Sequence, residues 1–244
     1  MVNLRYEIDN GNPAEKKRFI RRMFDSISPS YDSLNGILSL GIDSLWRRSA
    51  VHSLGNIEGS LVLDLCCGTG DMTGLLRREG ARVISVDFSA AMIARGIAKS
   101  NIEGGAVIAD ACMLPFREES FDAMTVAFGV RNIPDIERFI AEARRVLRPG
   151  GLLEILELTR PRTAVTGFLY RIYLRRIIPL LGGLISGRRL AYRYLSESIS
   201  TFIEPGRLAA LLSRHGFTTE SRRRHTFGVA TIMLCRRGTD AEAH

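Results

Sequence analysis

The chain is poor in the residues that mark several common chemistries. It carries four cysteines in 244 residues, Cys66, Cys67, Cys112 and Cys235. None of them forms a Cys-x-x-Cys or stands at ligand spacing from a histidine, so a structural metal is not expected. Each reads as a small core residue in a reducing compartment. Long apolar runs are missing as well. The longest uncharged one, Ile177 to Ile185, holds Pro179 and two glycines and is too short for a bilayer. No charged-then-apolar leader is recognisable, and a cytoplasmic protein is expected. Repeats and low-complexity tracts are lacking too. Neither Gly-x-Gly-x-x-Gly nor Gly-x-x-x-x-Gly-Lys-Ser/Thr occurs, which disfavours a dinucleotide pyrophosphate and a triphosphate as ligands.

What is present is apolar residues at 45% and a net charge of +8. The first is enough for a core, and 244 residues suit one large α/β domain with additions. The second invites a nucleic-acid reading. The cations are spread out, however, with local clusters at 16–22, 171–176 and 222–224. Such a surface suits solvent or anionic lipid head groups equally well.

The most informative stretch is Leu61-Val-Leu-Asp-Leu-Cys-Cys-Gly-Thr-Gly-Asp71. A branched apolar run stops at Gly-x-Gly and a periodic segment follows, which is the first half of a nucleotide-binding βαβ unit. Acidic residues close three successive strands, Asp64, Asp87 and Asp110, 23 positions apart each time. The side chains at such strand ends converge on one crevice. Asp64 is expected to orient the glycine turn by accepting backbone N–H bonds. Gly68, Thr69 and Gly70 would present backbone and hydroxyl groups to a ligand carboxylate. Asp87 would face a ribose, Phe88 and Met92 would line a base, and Asp110 with Ala111 would meet its edge. Ala127 ends the fourth strand beside them. These residues suit a nucleoside without phosphates.

The remaining elements are strands at 61–66, 82–87, 105–109, 122–127 and 151–157, with helices at 71–79, 89–99 and 135–147. Pro149-Gly-Gly151 should stop the last of these helices and turn into the fifth strand. A helix near 205–214 and two extended runs, 217–223 and 226–235, close the chain. Their link at His225 is too short for a crossover, so they should pair as a hairpin. The expected divisions are an ill-ordered tail at 1–15, a helical lid at 16–59 and a core at 60–159. A helical substrate-binding insertion at 160–203, a completing segment at 204–237 and a second tail at 238–244 follow.

The glycine-turn run resembles the first motif of class I S-adenosylmethionine-dependent methyltransferases, with Cys66 in place of that motif's first glycine. The resemblance implies a Rossmann-like α/β fold, a mostly parallel seven-stranded sheet with an antiparallel C-terminal hairpin, and S-adenosylmethionine as methyl donor without a metal. Strand four ends in Ala127-Phe-Gly-Val-Arg-Asn132, with neither Asn/Asp-Pro-Pro-aromatic nor Pro-Cys, so a nucleobase substrate is disfavoured.

Narrower motifs are Tyr31-Asp-Ser-Leu-Asn35, the stretch from Leu38 to Trp46, Phe128-Gly-Val-Arg-Asn132 and Leu156-Glu-Leu-Thr-Arg-Pro161. With Tyr194-Leu-Ser-Glu-Ser198 they are similar to the UbiE/MenG quinone C-methyltransferases, from about residue 16 to 237. That family has histidine where this chain has Asp43. The resemblance implies C-methylation of a prenylated hydroquinone, demethylmenaquinol first and a methoxy-benzoquinol of the ubiquinone route second, with no nucleic-acid partner; the rivals are another small-molecule methyltransferase and a non-catalytic S-adenosylmethionine-binding subunit. Arg131 would steady the phenolate, and Tyr31, Asp32 or Asp43 would carry its proton away. Arg131 could instead form a salt bridge to Asp87 or Asp135. The insertion, with aromatic residues between arginines from Phe168 to Ile178, suits a prenyl tail, the inner face of a membrane, or plain packing on the core. Oligomeric state is open, a homodimer being one option.

Overall fold

The computed structural model of the protein describes residues 13–161, 163–177 and 189–239. Its centre is a seven-stranded sheet made of β1 (Leu61–Leu65), β2 (Arg82–Asp87), β3 (Ala106–Ile108), β4 (Phe121–Ala127), β5 (Leu147–Leu158), β6 (Phe217–His225) and β7 (Ala230–Arg237). The strand order is β3-β2-β1-β4-β5-β7-β6. β1 to β5 run parallel, and β7 lies antiparallel to both β5 and β6. β1 is a short branched apolar run because both of its faces are covered, which is the pattern of a parallel central strand. The order reverses between β1 and β4, and that switch point opens a crevice at the strands' C-terminal ends.

Helices cover the sheet through narrow apolar stripes. α6 (Ile136–Val146) buries Phe139, Ile140, Ala143 and Val146, one face at helical spacing. Its start is set by Asp135, whose carboxylate accepts the Arg138 N–H at 2.9 Å. α5 (Ala90–Ala98) starts likewise at Ser89, which accepts the Met92 N–H. α4 (Asp71–Arg78) follows the glycine turn and buries Met72, Thr73 and Leu76.

Two expectations at the far edge need correction. α6 ends at Val146, and Pro149-Gly-Gly151 does not stop it. β5 already runs from Leu147, and Phe121 pairs with Leu147 while Ala123 pairs with Leu152, so the Pro-Gly-Gly forms a bulge inside the strand. The hairpin link lies at Thr226–Gly228 rather than at His225, which still pairs with Ala230. Phe227 there has φ +57 and is exposed.

Before the sheet come α1 (Pro13–Ile27), a 3-10 turn over Ser28–Ser30, α2 (Tyr31–Ser39) and α3 (Ile42–Ser53). Of the expected tail at 1–15, residues 1–12 lie outside the described residues, while 13–15 are helical. After β5 come α7 (Ala164–Ile172), a π-helical turn over Tyr173–Ile177 and α8 (Arg189–Thr201). The apolar run from Ile178 to Ile185 lies outside the described residues, as do 240–244 of the expected end tail. Ile20, Met23 and Ile27 of α1 share one apolar cluster with Leu174, Ala191, Tyr194 and Ile199 of the insertion. The two additions therefore pack on each other and roof the strand ends. α9 (Pro205–Arg214) buries Leu208, Leu211 and Leu212 and leads into β6.

A polar row crosses the sheet interior. Ser85, Asp64, Thr125 and Glu154 are register partners on β2, β1, β4 and β5. Burial, with Asp64 beside it, holds the Glu154 carboxyl well above its ordinary range.

Candidate functional site

The crevice at the switch point is shaped by backbone first. Gly68 has φ +56, a conformation that costs glycine nothing. Its N–H donates to Asp87 Oδ2 at 2.9 Å, and the Ser89 N–H donates to Asp87 Oδ1 at 2.8 Å. Burial raises the Asp87 carboxyl to about 6 even so. A cavity of about 40 Å³ opens beside it, lined by Phe88, Asp110, Ala111 and Cys66. Lys17 of α1 reaches into the same cavity and meets Asp110 Oδ2 at 2.5 Å. Burial works against the Asp110 charge, but Lys17 and the Cys112 N–H hold its carboxyl below the ordinary range. Thr69 donates its hydroxyl to Asp32 Oδ1 at 2.5 Å.

Several expected residues sit elsewhere. Asp64 takes no bond from the glycine turn; its carboxylate accepts the hydroxyls of Thr73 at 2.5 Å and Thr125 at 3.1 Å, tying α4 to β4. Asp87 does the work expected of Asp64. Gly70 has φ +77, and a Cβ there would lie 2.6 Å from Ile102, so its small size serves packing. Met92 is 1% exposed and fills the cluster between α1 and the sheet rather than a base-binding wall. Ala127 packs with Phe128 against the cluster around Trp46. Asp32 turns to the glycine turn, where Thr69, Lys99 and Arg95 outweigh its burial and hold its carboxyl low. Burial pushes the thiols of Cys66 and Cys67 well up, so neither is a thiolate nucleophile at neutral pH.

A second cavity, about 100 Å³, lies among α2, α3, the loop after β4 and the insertion. Tyr31, Asp43, Trp46, Arg47, Phe128 and Arg131 line it together with Tyr170, Tyr173, Leu174 and Leu195 of the insertion. A smaller one shares Tyr31, Asn35, Arg131 and Leu195 with it and Asn132 with the strand-end cavity. Tyr31, Asp43 and Arg131 thus face one space, far apart in sequence, and Asp32 is tied outside it.

Arg131 is ion-paired, but with neither Asp87 nor Asp135. Its guanidinium meets Glu157 of β5, its own N–H donates to the other Glu157 oxygen at 3.1 Å, and Nη1 also donates to the Phe128 carbonyl at 2.7 Å. Both side chains are almost fully buried. Burial raises the Tyr31 hydroxyl above its ordinary range, opposed by Arg47, Asn35 and Arg131. Tyr194 donates to Asn132 Oδ1 at 3.1 Å, and burial pushes its hydroxyl up to about 12.

This geometry meets a sequence-wide match. The profile of the ubiE/COQ5 methyltransferase family fits residues 12–237. The chain belongs to that family. A demethylmenaquinone methyltransferase of Thermus thermophilus is 45% identical over 217 residues, spanning 87% of this chain and 98% of that protein. The ubiquinone/menaquinone biosynthesis C-methyltransferase UbiE of Geobacter sulfurreducens is 40% identical over 232 residues, 92% of this chain and 90% of that protein. Among solved structures, magnesium protoporphyrin IX methyltransferase of Synechocystis with bound S-adenosylmethionine aligns over 91% of this chain and 97% of its own. Its TM-score is 0.63 at 15% identity, a likeness of fold. The expected class I α/β methyltransferase fold stands, and the protein is a methyltransferase.

As a family member the chain also holds residues that reading by motif passed over. Glu157 stood inside Leu156-Glu-Leu-Thr-Arg-Pro161, and a carboxylate amid an apolar strand was the available signal. Arg47 follows Trp46, four residues after Asp43 on the same helix. Lys17 gave no signal beyond its place in a basic cluster.

Proposed function

We propose that this enzyme transfers a methyl group from S-adenosylmethionine to a ring carbon of a reduced, prenylated quinone, with demethylmenaquinol as the first ring to test. The observation that carries this is the second cavity: largely aromatic and aliphatic walls, two buried guanidiniums, and a link to the strand-end crevice through the smaller cavity that shares residues with both. The names of the relatives supply the quinone. The crevice residues fit the donor. Asp87 keeps lone pairs free for ribose hydroxyls, Phe88 offers an aromatic face, and Asp110 with Ala111 offers an acceptor and an N–H for adenine. Gly68 and Thr69 would hold the amino-acid end. A sulfonium supplies an electrophilic methyl there, and nearby carboxylates suit its charge.

The chain's own work is on the acceptor. A ring carbon becomes nucleophilic when the adjacent phenol loses its proton. Overall, a methyl replaces a ring hydrogen and one proton is released. Arg131 and Tyr31 border the ring's place, and Asp43 can accept the phenol proton. The prenyl tail would follow Leu174, Leu195 and Ile199 towards α7, whose exposed Val165, Phe168 and Leu169 neighbour Arg171 and Arg175. That face suits the anionic inner surface of a membrane from the cytoplasmic side. A methoxy-benzoquinol is the second reading, favoured by the double pathway in the name of the Geobacter relative.

The test is methyl transfer from labelled S-adenosylmethionine to short-chain demethylmenaquinone and to a demethylated ubiquinone precursor, each with and without reductant. Turnover of the reduced forms alone is expected, with the naphthoquinol preferred. Anionic vesicles should raise turnover of a long-tailed substrate. Donor binding without transfer to either ring would sink the assignment, and indifference to vesicles would remove the membrane from it.

A further inference from the structure

The two guanidiniums of the second cavity are not equivalent in charge. Arg131 is hydrogen-bonded to Glu157 from both its side chain and its backbone, and the pair is buried as a neutral unit. A new anion beside it would meet both charges. Arg47 is different. It is 8% exposed and lines the cavity. Its guanidinium sits 4.8 Å above the centre of the Phe128 ring, a cation–π contact that uses the face of the group rather than its N–H donors. Its Nε has no hydrogen-bond partner among the described residues. The nearest carboxylate, Asp43, stands 3.7 Å from that Nε, a contact of charge without a bond. Asp43 itself accepts the Ser39 hydroxyl at 2.6 Å and also lines the cavity. A nine-tenths buried guanidinium with an unspent donor, facing an apolar cavity, is built to receive an oxygen anion.

We infer that Arg47 receives the ring oxygen that loses its proton, and that Asp43 takes that proton, so that Arg47 exchanges one anionic partner for another. The inference rests on the quinol reading above. In the step, the phenol O–H bond breaks, its electron pair stays on the ring oxygen beside Arg47, and the proton goes to the Asp43 carboxylate. Asp43 then passes it to water. The cavity's net charge is the same before and after, which removes the cost of creating a new charge in a poorly solvated space. The other charged and titratable groups that act on Arg47 or line the cavity with it are Tyr31 of α2, Asp64 of β1, Arg131 after β4, and Tyr170 and Tyr173 of the insertion. The two residues are one helical turn apart on α3. Arg47 is thus a substrate-contacting residue, and Phe128 is the plate that positions it.

The probe is 4-nitro-1-naphthol, whose ionisation is read by its visible absorbance, titrated with the full-length protein. In the unaltered enzyme the bound naphthol should ionise about one to two pH units below its value in solution, a ~10- to 100-fold preference for the anion. Arg47→Gln should abolish that shift. It should also move the acid limb of log kcat against pH upward by a similar amount, with activity recovering at high pH under anaerobic conditions. Asp43→Asn leaves Arg47 without its carboxylate. It should bind the naphtholate at least as strongly as the unaltered enzyme while kcat falls at least tenfold, which no loosening of the fold would produce. The Asp43→Asn arm decides the matter even if Arg47→Gln does not fold. No lowering in the unaltered enzyme, a lowering that survives Arg47→Gln, or a lowering lost in Asp43→Asn would overturn the inference. Activity loss that is equal at every pH would do the same. If the probe behaves as expected but no quinol is methylated, the quinol reading fails and the anion site stands.

Discussion

The strand-end crevice and the cavity beside it are made by opposite means. The crevice takes its ligand-facing groups from the ends of β1, β2 and β3 and from the loops directly after them, so its shape follows from the sheet. The cavity takes its walls from α2, α3, the loop after β4, β7's approach and the insertion. Charge differs as sharply. Asp87 and Asp110 face the crevice, whereas Arg47 and Arg131 face the cavity. Each keeps one counter-charge beside its dominant sign, Lys17 against Asp110 in the crevice and Asp43 3.7 Å from Arg47 in the cavity. Cutting one charge from either side shows how far each depends on its neighbours.

The largest effect is expected on the cavity side. Arg131 and Glu157 are buried together, and removing one leaves the other charged in a poorly solvated place. Glu157→Ala should cost about 3–5 kcal/mol in urea unfolding, enough to threaten folding at 37 °C. Arg131→Met combined with Glu157→Leu should recover most of that stability, since two apolar groups need no counter-charge. A single-variant loss under about 1 kcal/mol would show that water reaches the pair, and the contrast in solvation between the regions would fall.

The sheet beneath the crevice should respond to pH, through Asp64 in its interior and Asp87 at its edge. Asp64 and Asp87 are raised by burial to about 6, above the unfolded carboxylate value. Between that unfolded value and 6 the native state therefore binds more protons than the unfolded chain. Stability should rise as pH falls from 7 towards 5, by about 1.3 kcal/mol per group. His225, lowered by burial and Arg223, acts in the opposite direction over the same window, though it is only partly buried. Asp32 and Asp110 are held low, so their contribution is lost only as pH falls below the ordinary carboxylate range. Asp64→Asn should flatten its share of the rise in a series of thermal unfolding curves. A curve as steep as that of the unaltered protein would place the proton elsewhere in the row through Ser85, Thr125 and Glu154.

The same contrast explains what the sequence made legible. Asp64, Asp87 and Asp110 recur at one spacing because the two βα units have one length, so the two that line the crevice, Asp87 and Asp110, could be read locally. Which aspartate serves which group could not, because Asp87 reaches the Gly68 N–H across the strand ends and no spacing encodes that. Tyr31, Arg47, Arg131 and Glu157 meet only after α2, α3 and the insertion are docked. Motif resemblance brought three of the cavity's residues into view, but the partner of Arg131 lies 26 positions away in an apolar strand. The Pro-Gly-Gly bulge was misread for a related reason: the local signal for ending a helix and that for a bulge are the same residues.

The smallest effect concerns Cys66, which stands where the family's glycine-turn motif has its first glycine. It has φ +57, a left-handed conformation that costs a residue with a Cβ about 1 kcal/mol. Cys66→Gly should remove that strain and add about 0.5–1 kcal/mol of stability in urea unfolding. The loss of the thiol works against it, because Cys66 lies against Gly129, where a Cβ would come within 2.5 Å of its own. Cys66 packs at the edge of the main core and lines the cavity beside Asp87, so the packing lost with its thiol offsets part of that gain. Donor affinity should stay within about twofold, since Gly68, Asp87 and Asp110 keep their places. A net loss of stability would mean that this side chain, rather than the backbone, holds the turn against β4, and the crevice would then be less a product of the sheet alone.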